Sequence, residues 1–182
     1  MLKNIKKYKG KGNGGFTLIE LVISLFILTV AIVGVYSSFS TIVVLTVDAS
    51  SRLTAAYLAQ EGIEIVRNIR DNNWIQGNNW NAGLLNCEYG CEADYRTGTP
   101  SEVIPLRDYP TGGNKLKINS DNFYDYDLVD ATDTKFKRKI TIADQGGNVL
   151  KVSVLVTWQE KEEEGCDYGY CIQAEEYLYD WY

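Results

Sequence analysis

The 182-residue sequence predicts an α+β chain, with a long N-terminal helix packed on a C-terminal antiparallel β-sheet. Three observations predict it. Phe16–Tyr36 is a nearly unbroken apolar run without proline. From Asp48 to Asn72 apolar side chains recur at helical spacing, and Val149–Trp158 alternates with the period of a strand. A helix and a sheet that each carry one apolar face bury both by packing together.

The head of the chain is basic and the remainder acidic. Five of the 18 basic residues (Lys3, Lys6, Lys7, Lys9 and Lys11) stand within residues 1–15, where there is no acid. The other 13 basic residues face 24 acidic ones, so the chain after Gly15 carries −11 while the whole carries −6. Affinity for nucleic acid rests mostly on Lys and Arg neutralising phosphates, so the acidic body predicts no specific nucleic-acid partner. The absence of histidine removes the commonest general base and the commonest metal ligand.

The apolar run is long enough to cross a membrane, which takes about 20 residues. Lysines before it and acids after it place residues 1–15 in the cytoplasm and the body outside. A secretory signal peptide has a shorter apolar region followed by an A-x-A-like cleavage site, and neither feature is present. Instead a small-residue pair, Gly14-Gly15, precedes the run. Between Phe16 and Val47 the only charged side chain is Glu20. A carboxylate deep in a membrane helix costs roughly 2.5–3.5 kcal/mol, and less near the helix end. Such groups normally have partners, yet the nearest lysine, Lys11, lies beyond the glycine pair. Cleavage after Gly15 would create a new α-amine on Phe16. That amine, on a neighbouring copy or a related subunit, could neutralise Glu20 in the apolar layer.

Gly15-Phe16-Thr17-Leu18-Ile19-Glu20-Leu21, behind a lysine-rich leader and ahead of an unbroken apolar run, resembles the class III signal of type IV pilins and pseudopilins. The resemblance implies that a prepilin peptidase cuts after Gly15 and methylates Phe16. It implies that Glu20 recruits the subunit into a filament. It also implies partners: other pilin subunits and the assembly machinery of the inner membrane. The implied organisation is a cleaved leader (1–15), a membrane and filament-core helix (16–47), an amphipathic helix (48–72) and a β-rich head (73–182). The implied path runs from single-pass membrane protein to extracytoplasmic, cell-surface filament. Major pilins often carry a proline about a third of the way along this helix; here Ser37-Ser38 stands there. The segment Ala55–Asn68 and the C-terminal strands look more like minor pilins of the PilV and GspI type.

The helical pattern runs from Phe16 to about Asn72, roughly 57 residues or about 85 Å. Its first half is apolar all round. In the second half Ala55, Leu58, Gly62, Ile65, Val66 and Ile69 form a stripe suited to covering a sheet, with Gln60, Glu64 and Arg67 on another side. Asp71-Asn72-Asn73 and then Gly77 supply the turn chemistry that ends it.

In the body, Phe136, Ile140 and Ile142 share a face of a strand over Thr134–Ala143. Leu150, Val152, Val154, Val156 and Trp158 share a face of the next. Asp144–Asn148 between them reads as a hairpin loop. Ile172–Trp181 is a third strand, in which Leu178 opposes Tyr177, Tyr179 and Trp181. Residues 103–106 and 115–118 read as edge strands joined by a turn over Tyr109–Asn114.

Cys87-x3-Cys91 and Cys166-x4-Cys171 have spacings that only just permit a four-thiolate zinc site. A location outside the cytoplasm favours disulfides instead. Of the three connectivities open to four cysteines, the local pairs Cys87–Cys91 and Cys166–Cys171 are the reading adopted. Asp121, Asp125 and Asp127 crowd carboxylates as a calcium loop does, but without the glycine-centred pattern, and a solvated turn explains them better. Glu160–Glu164 reads as a solvated strand end. Thirteen tyrosines and four tryptophans either fill the core or make subunit contacts, and the sequence does not separate these.

No catalytic constellation is visible: no histidine, no nucleophile with a base, no phosphate loop. No cofactor is predicted and the chain is read as a non-enzyme. The sequence predicts a structural filament subunit, in first place a minor pilus subunit. The alternatives are a pseudopilin of a type II secretion or DNA-uptake machine, and an extracytoplasmic binding module on an uncleaved anchor.

Overall fold

A computed structural model describes residues 14–98, 105–126, 131–158, 166 and 169–181. The chain divides into two compact units, one ending at Thr46 and the other covering Val47–Tyr182. Helix α1, Leu18–Ile75, contributes to both.

In the first unit every described residue is exposed. By length and composition the helix is able to cross a membrane, and none of its most apolar stretch is buried within the chain. Several of its hydroxyls are satisfied locally. Ser24 donates to the Glu20 carbonyl at 2.7 Å, Thr29 to Phe26 at 2.8 Å, Ser38 to Gly34 at 3.0 Å and Thr46 to Ile42 at 2.8 Å. A helix that feeds its own polar side chains presents little unmet polarity to an apolar surrounding.

The helix ends three residues later than the asparagine pair suggests, because Asn72 and Asn73 act from within it. Asn73 Nδ2 donates to the carbonyls of Trp80 (3.1 Å) and Ala82 (2.9 Å), folding the following loop back on the helix. Termination falls to Gly77, whose φ of +71° is the left-handed conformation that glycine adopts cheaply. The Asn78 and Gly77 amides donate to Asn73 O (2.8 Å) and Trp74 O (3.0 Å), a paired C-terminal cap of the Schellman type.

The second unit packs the α1 stripe on an antiparallel sheet of β1 (Cys91–Glu92), β2 (Arg107–Asp108), β3 (Lys115–Ile118), β4 (Tyr124–Asp125), β5 (Thr132–Gly146), β6 (Val149–Thr157) and β7 (Cys171–Tyr179). Strand β5 is central. Strand β6 runs along one side of it, from Lys137↔Thr157 to Gly146↔Val149, and β7 pairs with β6 beyond. On the other side β3 pairs near the start of β5 and β1 near its middle. The hairpin loop is shorter than the sequence suggests. Strand β5 continues through a bulge to Gly146, so only Gly147 and Asn148 turn, both at positive φ. Residues 115–118 form a strand, paired with β4 and β5. The other edge strand lies at Arg107–Asp108 and pairs with β1, so Tyr109–Asn114 does not join two paired strands. Residues 103 and 104 lie outside the described residues, as do Glu160–Glu164.

The core follows from these phases. Ala55, Leu58, Ala59, Gly62, Ile63, Ile65 and Val66 of α1 are buried with Ile140, Ile142, Leu150, Val152, Val154 and Val156 of the sheet. The ambiguous third strand resolves on Leu178, which is buried, while Tyr177, Tyr179 and Trp181 are exposed. Gly62 lets the helix approach the sheet closely: a Cβ there would stand 2.9 Å from Val154 Cγ1 and 3.3 Å from Arg138 Cδ.

Candidate functional site

The N-terminal site is built on the first turn of α1. Residues Gly14–Thr17 precede the helix. Thr17 caps it: its carbonyl accepts from the Leu21 amide at 3.2 Å, and its Oγ1 from the Glu20 amide at 3.4 Å. Thr17-Leu18-Ile19-Glu20 has the spacing of a capping box, a signal that the sequence reading passed over. It gives Glu20 a place of its own in the chain. An acid at the third helical position sits among unsatisfied backbone amides and at the positive end of the helix dipole. Glu20 thus lies one turn into the helix, exposed, a few residues from the Gly15–Phe16 bond. Phe16 is 84 % exposed.

Nothing in the described chain demands glycine at either position before that bond. A Cβ on Gly14 or Gly15 would meet no atom within 4 Å, and neither residue has a left-handed φ.

The cysteines are joined locally. Cys87–Cys91 has a Cα separation of 5.3 Å and Cys166–Cys171 one of 5.4 Å. Cys87 ends a 3-10 turn, Leu85–Cys87, and Cys91 begins β1, and both are buried; Cys166 and Cys171 are half-buried. With the sulfurs bonded in pairs, no thiolate remains for zinc. Of the calcium candidates, Asp121 is exposed, Asp127 lies outside the described residues, and Asp125 is fully buried with its Oδ1 2.8 Å from Arg96 Nη2. Among the described residues no three His, Cys, Asp or Glu side chains are grouped to hold a metal.

Sequence reasoning missed a buried polar layer in the head. Asp94 is fully buried and takes Arg96 (3.4 Å) and Arg107 (3.1 Å). Burial opposes the charge on Arg96, but the Asp94 and Asp125 carboxylates outweigh it and raise its pKa. Glu92, also buried, accepts from the backbone amide (2.7 Å) and Nδ2 (2.8 Å) of Asn114. These groups tie β1, β2, β4 and their loops together. Their charges are paired or hydrogen-bonded, as burial requires. The one signal in the sequence was the Asp94-x-Arg96-Thr97 turn, where Asp94 Oδ1 accepts from the Arg96 amide at 3.0 Å.

A family model described as the prokaryotic N-terminal methylation motif matches residues 10–36, the segment that contains Gly14, Gly15, Phe16 and Glu20. No curated protein and no solved structure matches the chain.

Proposed function

We propose that this chain, which carries the class III signal of type IV pilins and pseudopilins, is a structural subunit of a type IV pilus-like filament, and within that class a minor pilus subunit. Prepilin peptidase removes residues 1–15 and methylates Phe16. Residues 16–47 hold the subunit in the cytoplasmic membrane, and the same helix then enters the filament core. Residues 48–72 carry the head, 73–182, which faces the outside of the cell. Glu20 docks on the liberated amine of Phe16 of another subunit. The role is mechanical rather than catalytic.

One observation carries the reading. The Gly15–Phe16 bond precedes an apolar helical stretch, residues 18–46, in which no residue is covered and the only charged side chain, Glu20, lies in the first turn. Two glycines that no contact among the described residues requires suit a demand imposed from outside, such as a peptidase groove that admits no side chain.

Intact mass spectrometry of the chain from its own membranes tests it. The expected result is loss of residues 1–15 and a methyl group on Phe16. A mature chain that keeps Met1 overturns the reading in favour of an anchored binding module. Immunogold labelling then separates the finer assignments: sparse or tip labelling of fibres for a minor subunit, shaft labelling for a major one, no long fibre for a pseudopilin.

A further inference from the structure

We propose that the Cys166–Cys171 disulfide is a redox clasp that fastens the end of β6 and the start of β7 to Arg52 of α1, and that an external dithiol opens it while Cys87–Cys91 stays closed. The geometry lies wholly within the second unit. Arg52 Nη2 donates to the Gly169 carbonyl at 2.7 Å, and Arg52 Nε pairs with Asp48 Oδ2 at 2.9 Å. Gly169 reaches that position with a φ of +77°, a conformation that glycine adopts cheaply. On the next residue the Tyr170 carbonyl accepts from the Trp158 amide at 3.1 Å, and the Tyr170 ring meets the Trp158 ring edge-on at 6.4 Å. Arg52 lies over the same Trp158 ring at 5.8 Å. The disulfide therefore closes a loop whose two described residues both hold neighbours: Gly169 holds the helix and Tyr170 the end of β6.

Exposure separates the two disulfides. Cys87 and Cys91 are 0 % and 1 % exposed, whereas Cys166 and Cys171 are half-buried and open to solvent. Thiol–disulfide exchange needs an attacking thiolate to reach a sulfur, so access decides which bond reacts. A dithiol thiolate attacks one sulfur of Cys166–Cys171, breaking the S–S bond and forming a mixed disulfide. The second thiol of the reagent then displaces the remaining cysteine. The dithiol leaves as a cyclic disulfide, and Cys166 and Cys171 each take up a proton as free thiols. Without the covalent link, Gly169 and Tyr170 gain freedom to move, and the contacts to Arg52 and Trp158 loosen together.

The test uses the full chain in detergent micelles, titrated with dithiothreitol, quenched by alkylation and read by mass spectrometry, with amide hydrogen exchange on the same samples. Cys166 and Cys171 are expected to be alkylated at least about tenfold faster than Cys87 and Cys91. Over the same interval exchange at the Trp158 amide rises about tenfold, as expected of a local opening. Cys166→Ser/Cys171→Ser shows the fast Trp158 exchange without reductant. Arg52→Met makes Cys166–Cys171 reduce earlier and leaves Cys87–Cys91 unchanged. Equal reduction of both disulfides, or reduction of Cys166–Cys171 with unaltered Trp158 exchange, overturns the proposal. If the double serine variant does not fold, the titration of the unaltered chain still decides. None of these outcomes depends on cleavage after Gly15, so failure here and failure of the filament reading are distinguishable.

Discussion

Arg67 on α1 grips both carboxylate oxygens of Glu176 on β7, with Nη2 at 2.7 Å and 2.6 Å from them, while its Nη1 holds Glu64 at 2.5 Å. The helix face that looks solvent-directed in the sequence is therefore also a clamp on the last strand. Glu176 occupies the inward phase of β7, alongside Ile172, Ala174 and Leu178. The Arg67 pKa is raised, first by its hydrogen bond to Glu176. Both side chains keep about a third of their surface in water (34 % and 28 %), so the pair is screened. Arg67→Ala is expected to lower unfolding stability by about 1 kcal/mol in low salt, and by less in 0.5–1 M salt (roughly;). A double-mutant cycle with Glu176→Ala, followed by urea unfolding of the full chain in micelles, measures the coupling. No salt dependence in the cycle would remove the ionic part.

Gly62 offers a sharper test because helix propensity and packing oppose each other there. Alanine in an exposed helix interior gains about 1 kcal/mol over glycine. At position 62 the new methyl meets Val154 Cγ1 at 2.9 Å and Arg138 Cδ at 3.3 Å, both buried in the core. Overpacking costs typically 1–3 kcal/mol (about;), so Gly62→Ala is expected to destabilise. Adding Val154→Ala opens space for the methyl. The pair of substitutions is then expected to be less harmful than their separate effects added together. Simple additivity in denaturant unfolding would show that the helix does not approach β6 this closely.

The fold was readable in the sequence wherever a period was clean. Leu150, Val152, Val154 and Val156 recur at every second position, with Leu155 the one apolar residue between them, and the expected strand Val149–Trp158 matches β6 to within a residue. Strand β5 is more instructive. Phe136, Ile140 and Ile142 leave a gap in the apolar series at 138, and that gap is filled by Arg138, fully buried on the same face. Its Nη1 donates to the Leu58 carbonyl at 3.0 Å and lies 3.2 Å from Glu61 Oε2, and its Nη2 donates to the Ala93 carbonyl. A hydropathy pattern scores such a residue as outward, because its partners lie far away in sequence. The same blindness hid Asp94 and Glu92, and it misplaced the edge strand at 107–108, whose pairing with β1 is set by loops rather than alternation. At the N-terminus the pattern around Gly15, Phe16 and Glu20 is local in sequence, and it lies within the matched methylation motif.

On the outer face of the sheet, Lys151 of β6 holds Glu175 of β7 at 2.9 Å, on the diagonal two residues from its direct partner Tyr177. The hydrogen bond from Lys151 holds the Glu175 carboxyl below the usual carboxylate range, and the same bond holds the Lys151 ammonium above the usual lysine range. A carboxylate with a lowered folded pKa adds stability above its unfolded pKa and loses it as pH falls through the folded value. The acid-side effect therefore falls below the ordinary carboxylate pKa. For Lys151 the sign is opposite: its share is present below the ordinary lysine pKa and is lost as pH rises through the raised value. Carboxyl NMR of Glu175 is expected to titrate at lower pH than a free glutamate, and Lys151→Met to return it to the ordinary range. An unchanged midpoint in that variant would assign the shift to another group.

Glu20 separates what the chain needs from what assembly needs. In the first turn the backbone amides around Thr17 favour an acid modestly, by about 0.3–1 kcal/mol. Loss of that term leaves α1 intact, since the Leu21 amide still bonds the Thr17 carbonyl. Removing a charge from the apolar segment also makes insertion easier, not harder. Glu20→Ala is therefore expected to insert in membranes and to lose residues 1–15 normally. If Glu20 instead docks on the Phe16 amine of a neighbour, the loss appears only in assembly. Opposite charges a few ångström apart in an apolar layer attract far more strongly than in water. A deficit of only 1.4 kcal/mol per contact already lowers subunit incorporation about tenfold. Sheared-fibre yield, measured beside the processed membrane pool, reads this directly. Processed Glu20→Ala chains that enter fibres at the unaltered level would leave the acid with its helix-dipole contribution alone.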